Sequence, residues 1–353
     1  MTSERNRVAR RVTRRQFLGF AAAGVGAAIS GACRSSSVGL GDRSDVQRRR
    51  PRRRRGRLDP IALGVYRPDM EEAALAGGAI DSYATDVGRY PAFTTIYSEW
   101  HDHPPFPATV ADIHLSRGCA PVLTWQPWHH GAGSTQPTYA LSTITAGHHD
   151  TFIRQWAHGA AAWAKPFYLR FAHEMNGHWF PWSAGVNNNT AAEYAQAWRH
   201  IHAIFQEEGT TNAKWVFCPN EGPQTSNIAR FYPGDAYVDW VAIDGYNWGT
   251  SRADTDWRSF YLIFEVVYRA LSQLTNKPMM IGETGCAELG GDKVAWIREG
   301  FLNELPTRFP RVKAVLYFDR AQDGTDWRIS TSRDALDAYR EVVGSPLYRG
   351  RLP

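Results

Sequence analysis

The sequence predicts a single (β/α)8 TIM barrel over residues 58–353, on three observations. Eight short β-rich runs succeed one another there, many nearly continuous in apolar residues, as strands covered on both faces are. Segments with helical spacing stand between them. No Gly-x-Gly-x-x-Gly follows an early strand, which disfavours an open doubly wound sheet.

The runs are Ile61–Tyr66, Ala92–Trp100, Ala120–Trp128, Pro166–Phe171, Ala213–Asn220, Asp239–Asn247, Pro278–Glu283 and Val312–Asp319. The clearest helical segments are Asp150–Ala164, Thr190–Glu208, Asp256–Leu274 and Lys293–Phe309. In the second of these, Ala191, Tyr194, Ala195, Trp198, Ile201 and Phe205 keep one face, and Glu193 three residues after Thr190 makes a capping-box pattern. Eight strand–helix units in about 290 residues suit one barrel.

Hydrophobic residues make up 43% of the 353 and charged residues 21%, the balance of a folded chain. The formal charge of +5 is unevenly placed. Residues 1–57 carry 16 Arg against three acids, whereas residues 58–353 have a net charge of −8. An acidic domain argues against a nucleic-acid partner, because phosphate contacts need positive charge on the domain itself.

Residues 1–33 read as an export signal. Arg14-Arg15 precedes Phe17-Leu18, an apolar stretch runs from Phe17 to Ile29, and Ser30-Gly31-Ala32-Cys33 follows. The paired arginines resemble the twin-arginine signal, which implies the twin-arginine export machinery as a partner and a site of action outside the cytoplasm. At about 13 residues the apolar run is too short to span roughly 30 Å of hydrocarbon as a permanent helix. Cys33 fits a lipidated cysteine and so a membrane anchor, although Ser30 stands where Leu is usual. Simple cleavage after Ala32 is the alternative. Residues 34–57 form an Arg-rich linker, with eight Arg among residues 48–57. Self-repulsion and the lack of apolar residues predict disorder there, either lying against an anionic surface or as a plain spacer. The remaining cysteines, Cys119, Cys218 and Cys286, are odd in number and widely spaced, which argues against a disulfide framework.

A barrel places its catalytic groups at the C-terminal ends of its strands. The fourth run ends in Arg170-Phe171-Ala172-His173-Glu174-Met175-Asn176-Gly177-His178-Trp179, and the seventh in Ile281-Gly282-Glu283-Thr284-Gly285. Each puts one Glu at a strand tip. Two carboxyl groups facing across a barrel mouth suit glycoside hydrolysis: one protonates the leaving oxygen, the other attacks the anomeric carbon or activates water. Either Glu alone would read as a surface acid, but both sit among apolar strand residues.

Several stretches together resemble glycoside hydrolase family 26, from about Gly64 to Tyr339. They are Leu123–Trp128, Arg170–Gly177, Tyr232–Asp235, Val238–Asn247, Lys277-Pro278 running into Glu283, and Asp326–Ile329. Asp244–Gly249 and Ala287–Lys293 look most like the branch that holds mixed-linkage β-glucanases. The resemblance implies a (β/α)8 hydrolase of β-linked polysaccharide, with no cofactor, in which Glu174 is the acid/base and Glu283 the nucleophile of a retaining mechanism. It also implies that His173 contacts the sugar or orients the nucleophile, and that Tyr246 hydrogen-bonds the nucleophile. Each could instead be a satisfied core group. Arg170, four residues before Glu174, would face the same side of an extended strand and hold Glu283 ionised, or belong to an ion pair elsewhere.

All 14 Trp lie between Trp100 and Trp327. Sugar rings stack on aromatic faces, so Trp179, Trp125, Trp128, Trp182 and Trp248, at or beyond strand ends, are candidate subsite walls. Trp156, Trp163, Trp198, Trp215, Trp257 and Trp296 read as core. Asn176, Asn220, Asn247 and Asp319 suit either sugar hydroxyls or loop capping. The 12 His show no His-Glu-x-x-His helix spacing, so no metal is expected.

Taken together, the sequence predicts an exported, monomeric, retaining endo-β-glycanase acting on mannan or mixed-linkage β-1,3-1,4-glucan. The alternatives are a catalytically silent polysaccharide-binding barrel, which would not need both carboxylates, and an importer's solute-binding lipoprotein, whose two lobes would not align two Glu at strand ends.

Overall fold

The structure, a computed structural model, describes residues 59–222 and 225–350. The twin-arginine motif, Cys33 and the Arg-rich linker lie outside the described residues. Eight parallel strands close a barrel in chain order: β1 (Ile61–Tyr66), β2 (Phe93–Glu99), β3 (Ala120–Gln126), β4 (Phe167–Phe171), β5 (Ala213–Phe217), β6 (Trp240–Asn247), β7 (Met279–Cys286) and β8 (Val312–Phe318). Closure is made by β1 against β8, from Ala62↔Ala314 to Tyr66↔Phe318. Helices lie between successive strands, so the predicted (β/α)8 architecture is the observed one.

Strand alternation divides the core in two. Ala62, Phe93, Val122, Val216, Ala242, Met280, Ala314 and Leu316 form a cluster of inward-facing residues. Their neighbours Leu63, Ile96, Leu123, Leu169 and Val315 face outward, in the larger cluster shared with the helices.

Several boundaries differ from the sequence reading for local reasons. β5 stops at Phe217, ahead of Pro219, which has no N–H for a ladder. Thr190 and Glu193 do form a capping box at the start of the helix Ala191–Glu207. The helix expected from Asp256 starts at Phe260, because Ser259 accepts from the Leu262 N–H at 3.2 Å and caps it there. The helix expected over Lys293–Phe309 is α-helical over Lys293–Arg298, widens to a π-helix over Glu299–Glu304 and ends with Leu305–Arg308. Pro306 lies in that last turn and cannot donate to the preceding one.

One irregularity positions the site. β6 and β7 pair in register up to Ile243↔Ile281, then skip to Asp244↔Glu283, leaving Gly282 as an extra residue. Met279 and Ile281 face the helices and Met280 faces inward, so an unbroken β7 would turn Glu283 outward. The bulge re-aims Glu283 into the barrel. Only Gly fits at the bulge, since a Cβ on Gly282 would stand 2.5 Å from Asp244 Oδ1. β7 also runs on to Cys286, so Glu283 lies inside the strand rather than at its tip.

Candidate active site

Glu174 is reached by a kinked chain. β4 ends at Phe171, and Ala172 and Glu174 both take left-handed backbone, with φ of 44° and 54°. The expected alternation from Arg170 to Glu174 along one strand is therefore corrected: the strand has ended, and two strained residues aim the carboxyl instead. The Glu174 N–H donates to the Cys218 carbonyl at 2.7 Å, which fixes the kink to the end of β5.

The Glu174 carboxyl is buried and accepts two N–H groups, Asn220 Nδ2 on Oε1 at 2.8 Å and Trp179 Nε1 on Oε2 at 2.7 Å. Burial first, and then the charge of Glu283, push it up to about 7, against the pull of those donors. The Trp179 ring lies so close to Gly177 that a Cβ there would stand 2.6 Å from it. Trp179 is half-buried, and its N–H holds the Glu174 carboxyl.

Glu283 is held in the opposite sense. Arg170 Nη2 donates to its Oε1 at 2.5 Å, the Tyr97 hydroxyl donates to the same oxygen, and the Tyr246 hydroxyl donates to Oε2. Burial alone would raise its pKa, but Arg170 and the phenol donors hold the carboxyl below its ordinary range. Arg170 is 1% exposed and bonds Thr124 Oγ1 through Nε at 2.9 Å, and Asp244 through Nη1 at 3.0 and 3.1 Å. Burial pushes the Asp244 carboxyl up, and the Arg170 guanidinium opposes that shift. His173, Asp244 and Glu283 place one donor atom each within 4.8 Å of one another, a grouping that could hold a cation. The cation they surround is the Arg170 guanidinium, which ion-pairs with both carboxyl groups.

His173 is buried with Nε2 3.9 Å from Glu283 Oε1, and burial followed by the Arg170 charge pushes its pKa down to about 3. It is therefore a neutral imidazole beside Glu283. Its Nδ1 has no hydrogen-bond partner among the described residues.

The other tryptophans divide. Trp125 is fully buried and stacks on Trp156 with ring centres 4.5 Å apart, and Trp182 is fully buried and donates to the His173 carbonyl at 2.7 Å. Neither offers a face to a sugar, which corrects that expectation: Thr124 turns inward to Arg170, so Trp125 must turn outward. Trp128 is half-buried against Phe180 and Trp182. Trp248 is half-buried, but the Arg252 guanidinium lies 3.4 Å over its ring centre and covers that face. The fully buried Asn176 side chain donates through Nδ2 to the Asn220 carbonyl and accepts the Asn220 N–H on Oδ1, each at 2.8 Å, so it clamps two loops and is not a sugar contact. Asn247 and Asp319 likewise cap loop N–H groups.

Sequence reasoning gave no role to Tyr97 or Asp244. Inward alternation from Phe93 on β2 would have pointed to Tyr97; the position of Asp244 depends on the bulge opposite it.

Two buried carboxylic acids at the mouth of a closed parallel barrel are the arrangement that glycoside hydrolysis uses. The chain belongs to glycosyl hydrolase family 26, whose family model matches residues 109–303. It is 37% identical over 301 residues to Endoglucanase H of Acetivibrio thermocellus, covering 82% of this chain and 32% of that one. It is 40% identical over 178 residues to Mannan endo-1,4-beta-mannosidase A and B of Caldalkalibacillus mannanilyticus, covering 49% and 31%. The chain thus spans about a third of the length of these relatives. The fold matches GH26C from a Muricauda species with a TM-score of 0.64 at 19% identity, over 84% of this chain and 89% of that one.

Proposed function

We propose that the domain is a retaining endo-β-glycanase acting on mixed-linkage β-1,3-1,4-glucan or mannan, with Glu283 as nucleophile and Glu174 as acid/base. The observation that carries this reading is the split in proton affinity between two neighbouring buried carboxyls. Glucan is placed first because the match to an endoglucanase extends over 82% of the chain, against 49% for the mannosidase.

In the first step Glu283, ionised and held by Arg170, Tyr97 and Tyr246, attacks the anomeric carbon. Glu174 passes its proton to the departing glycosidic oxygen. The ester that forms removes the negative charge of Glu283, and with it one cause of the raised pKa of Glu174. Glu174 then takes a proton from water in the second step, as a base must. Trp179 is the aromatic face next to the leaving-group side, and the neutral His173 is a donor to sugar or nucleophile.

A panel of barley β-glucan, lichenan, glucomannan, galactomannan and β-1,3-xylan tests the reading by reducing-sugar release. Release from glucan or mannan is expected, and release from none would sink it. The N-terminal sequence further supports action outside the cytoplasm after twin-arginine export, with anchoring at Cys33.

A further inference from the structure

β2 loses its partner on one side before it reaches the active site. It pairs with β1 only at Gly64↔Phe93 and Val65↔Thr94, while it stays paired with β3 as far as Glu99↔Gln126. The Tyr97 N–H therefore has no strand to donate to. Glu71, from the loop after β1, fills that place: its Oε1 accepts the Tyr97 N–H at 2.8 Å. Its Oε2 accepts the Tyr66 hydroxyl at 3.4 Å, and Arg320 Nη1 in turn donates to that hydroxyl at 3.1 Å. The Tyr66 ring packs edge-on against the Tyr97 ring, with centres 4.8 Å apart. Main chain and ring of Tyr97 are thus both set by this cluster, and its hydroxyl lies on Glu283 Oε1, shared with Arg170 Nη2 at 3.3 Å.

We propose that Glu71 is a positioning residue for the nucleophile: by replacing the missing β1 ladder partner of Tyr97, it keeps the Tyr97 hydroxyl on Glu283. The inference rests on the assignment of Glu283 as nucleophile. Glu71 touches no reacting atom and acts only through Tyr97. Burial pushes the Glu71 carboxyl up to about 7, with the Tyr97 N–H, Arg320 and Tyr66 opposing and Glu99 reinforcing. Glu71 accepts the Tyr97 N–H in either protonation state, so the hold does not depend on its charge.

The test reads Glu283 itself. In the full chain labelled with δ-¹³C glutamate, the Glu283 signal, assigned by its loss in Glu283→Gln, is titrated in wild type, Glu71→Ala, Glu71→Gln, Tyr97→Phe and the Glu71→Ala/Tyr97→Phe double variant. A lost donor raises a carboxylate's pKa, so Glu71→Ala and Tyr97→Phe should move the midpoint up by roughly half a unit or more. Glu71→Gln keeps an acceptor and should leave it in place. The double variant should match Tyr97→Phe alone, because one contact cannot be lost twice. The acid limb of kcat/KM should follow the same order. A lower Tm for Glu71→Ala with an unmoved Glu283 midpoint would overturn the proposal and leave Glu71 a strand plug. Midpoints moved as expected in the variants, with a wild type that cleaves no glycan, would keep the proposal and sink the glycanase reading instead.

Discussion

Arg170 donates to Glu283 at 2.5 Å from a position that solvent does not reach. It is an inward residue of β4, one barrel layer below the mouth, and its guanidinium also ties β6 through Asp244. The Glu283 carboxylate is thus kept anionic by a cation belonging to the core. Replacing Arg170 by Met leaves two buried carboxyls without their counter-charge. The variant should lose about 3–5 kcal/mol of stability, read by denaturant unfolding. Any folded fraction should show its acidic limb of kcat/KM moved upward, because Glu283 would protonate more readily.

The pH dependence follows from the two carboxyls. With the proposed roles, activity requires Glu283 ionised and Glu174 protonated, so kcat/KM should be bell-shaped. Glu283 is held below the usual carboxylate range, chiefly by Arg170, so the acid limb should lie on the acidic side of an ordinary glutamate's. Glu174 is raised to about 7, so activity should fall as pH rises through about 7. A basic limb that stayed flat to pH 9 would contradict the role of Glu174.

Trp179 and Trp125 should separate catalysis from packing. Trp179→Phe keeps an aromatic ring and removes the N–H on Glu174 Oε2. The carboxylate loses a donor, so the basic limb should shift upward while Tm changes little. Trp125→Ala opens a hole among Trp100, Trp156 and Phe152 and should cost about 3–5 kcal/mol of stability, with KM unaffected in the folded enzyme. Thermal melts and initial rates on both variants check the pair.

The barrel was legible because its strands carry near-continuous apolar runs, and the two Glu because a carboxyl among such residues is conspicuous. Their orientation was not legible. Plain alternation from Met279 would turn Glu283 outward, and only the extra residue at Gly282 brings it in. Glu174 depends on two left-handed residues after Phe171, a choice made by contacts to Cys218, Asn220 and Trp179 that are distant in sequence. Tryptophan placement failed for a simpler reason. Standing at a strand end says nothing of which face a side chain takes, and at Trp125 the face is the outer one.

Export is tested apart from chemistry. Replacing Arg14 and Arg15 by Lys should leave precursor in the cytoplasm, and Cys33→Ala should release the protein from the membrane fraction, both read by immunoblot of cell fractions. Normal export of the first variant would contradict the twin-arginine reading; unchanged membrane association of the second would contradict lipid anchoring.

The assignment of the two glutamates is tested most directly by azide rescue on an aryl β-glycoside with a good leaving group. Glu174→Ala should still form the glycosyl-enzyme, since such a leaving group needs little protonation, and the loss of proton transfer should cost roughly 10²–10⁴-fold on natural glycans. Azide needs no base, so it should restore turnover and give the β-glycosyl azide. Glu283→Ala has no nucleophile, and azide should enter from the opposite face to give the α-azide. Product stereochemistry by NMR decides between them. Reversed products would mean that the roles are exchanged, and a loss below about tenfold in both variants, only ~1.4 kcal/mol of transition-state stabilisation, would mean that these are not the catalytic carboxyls.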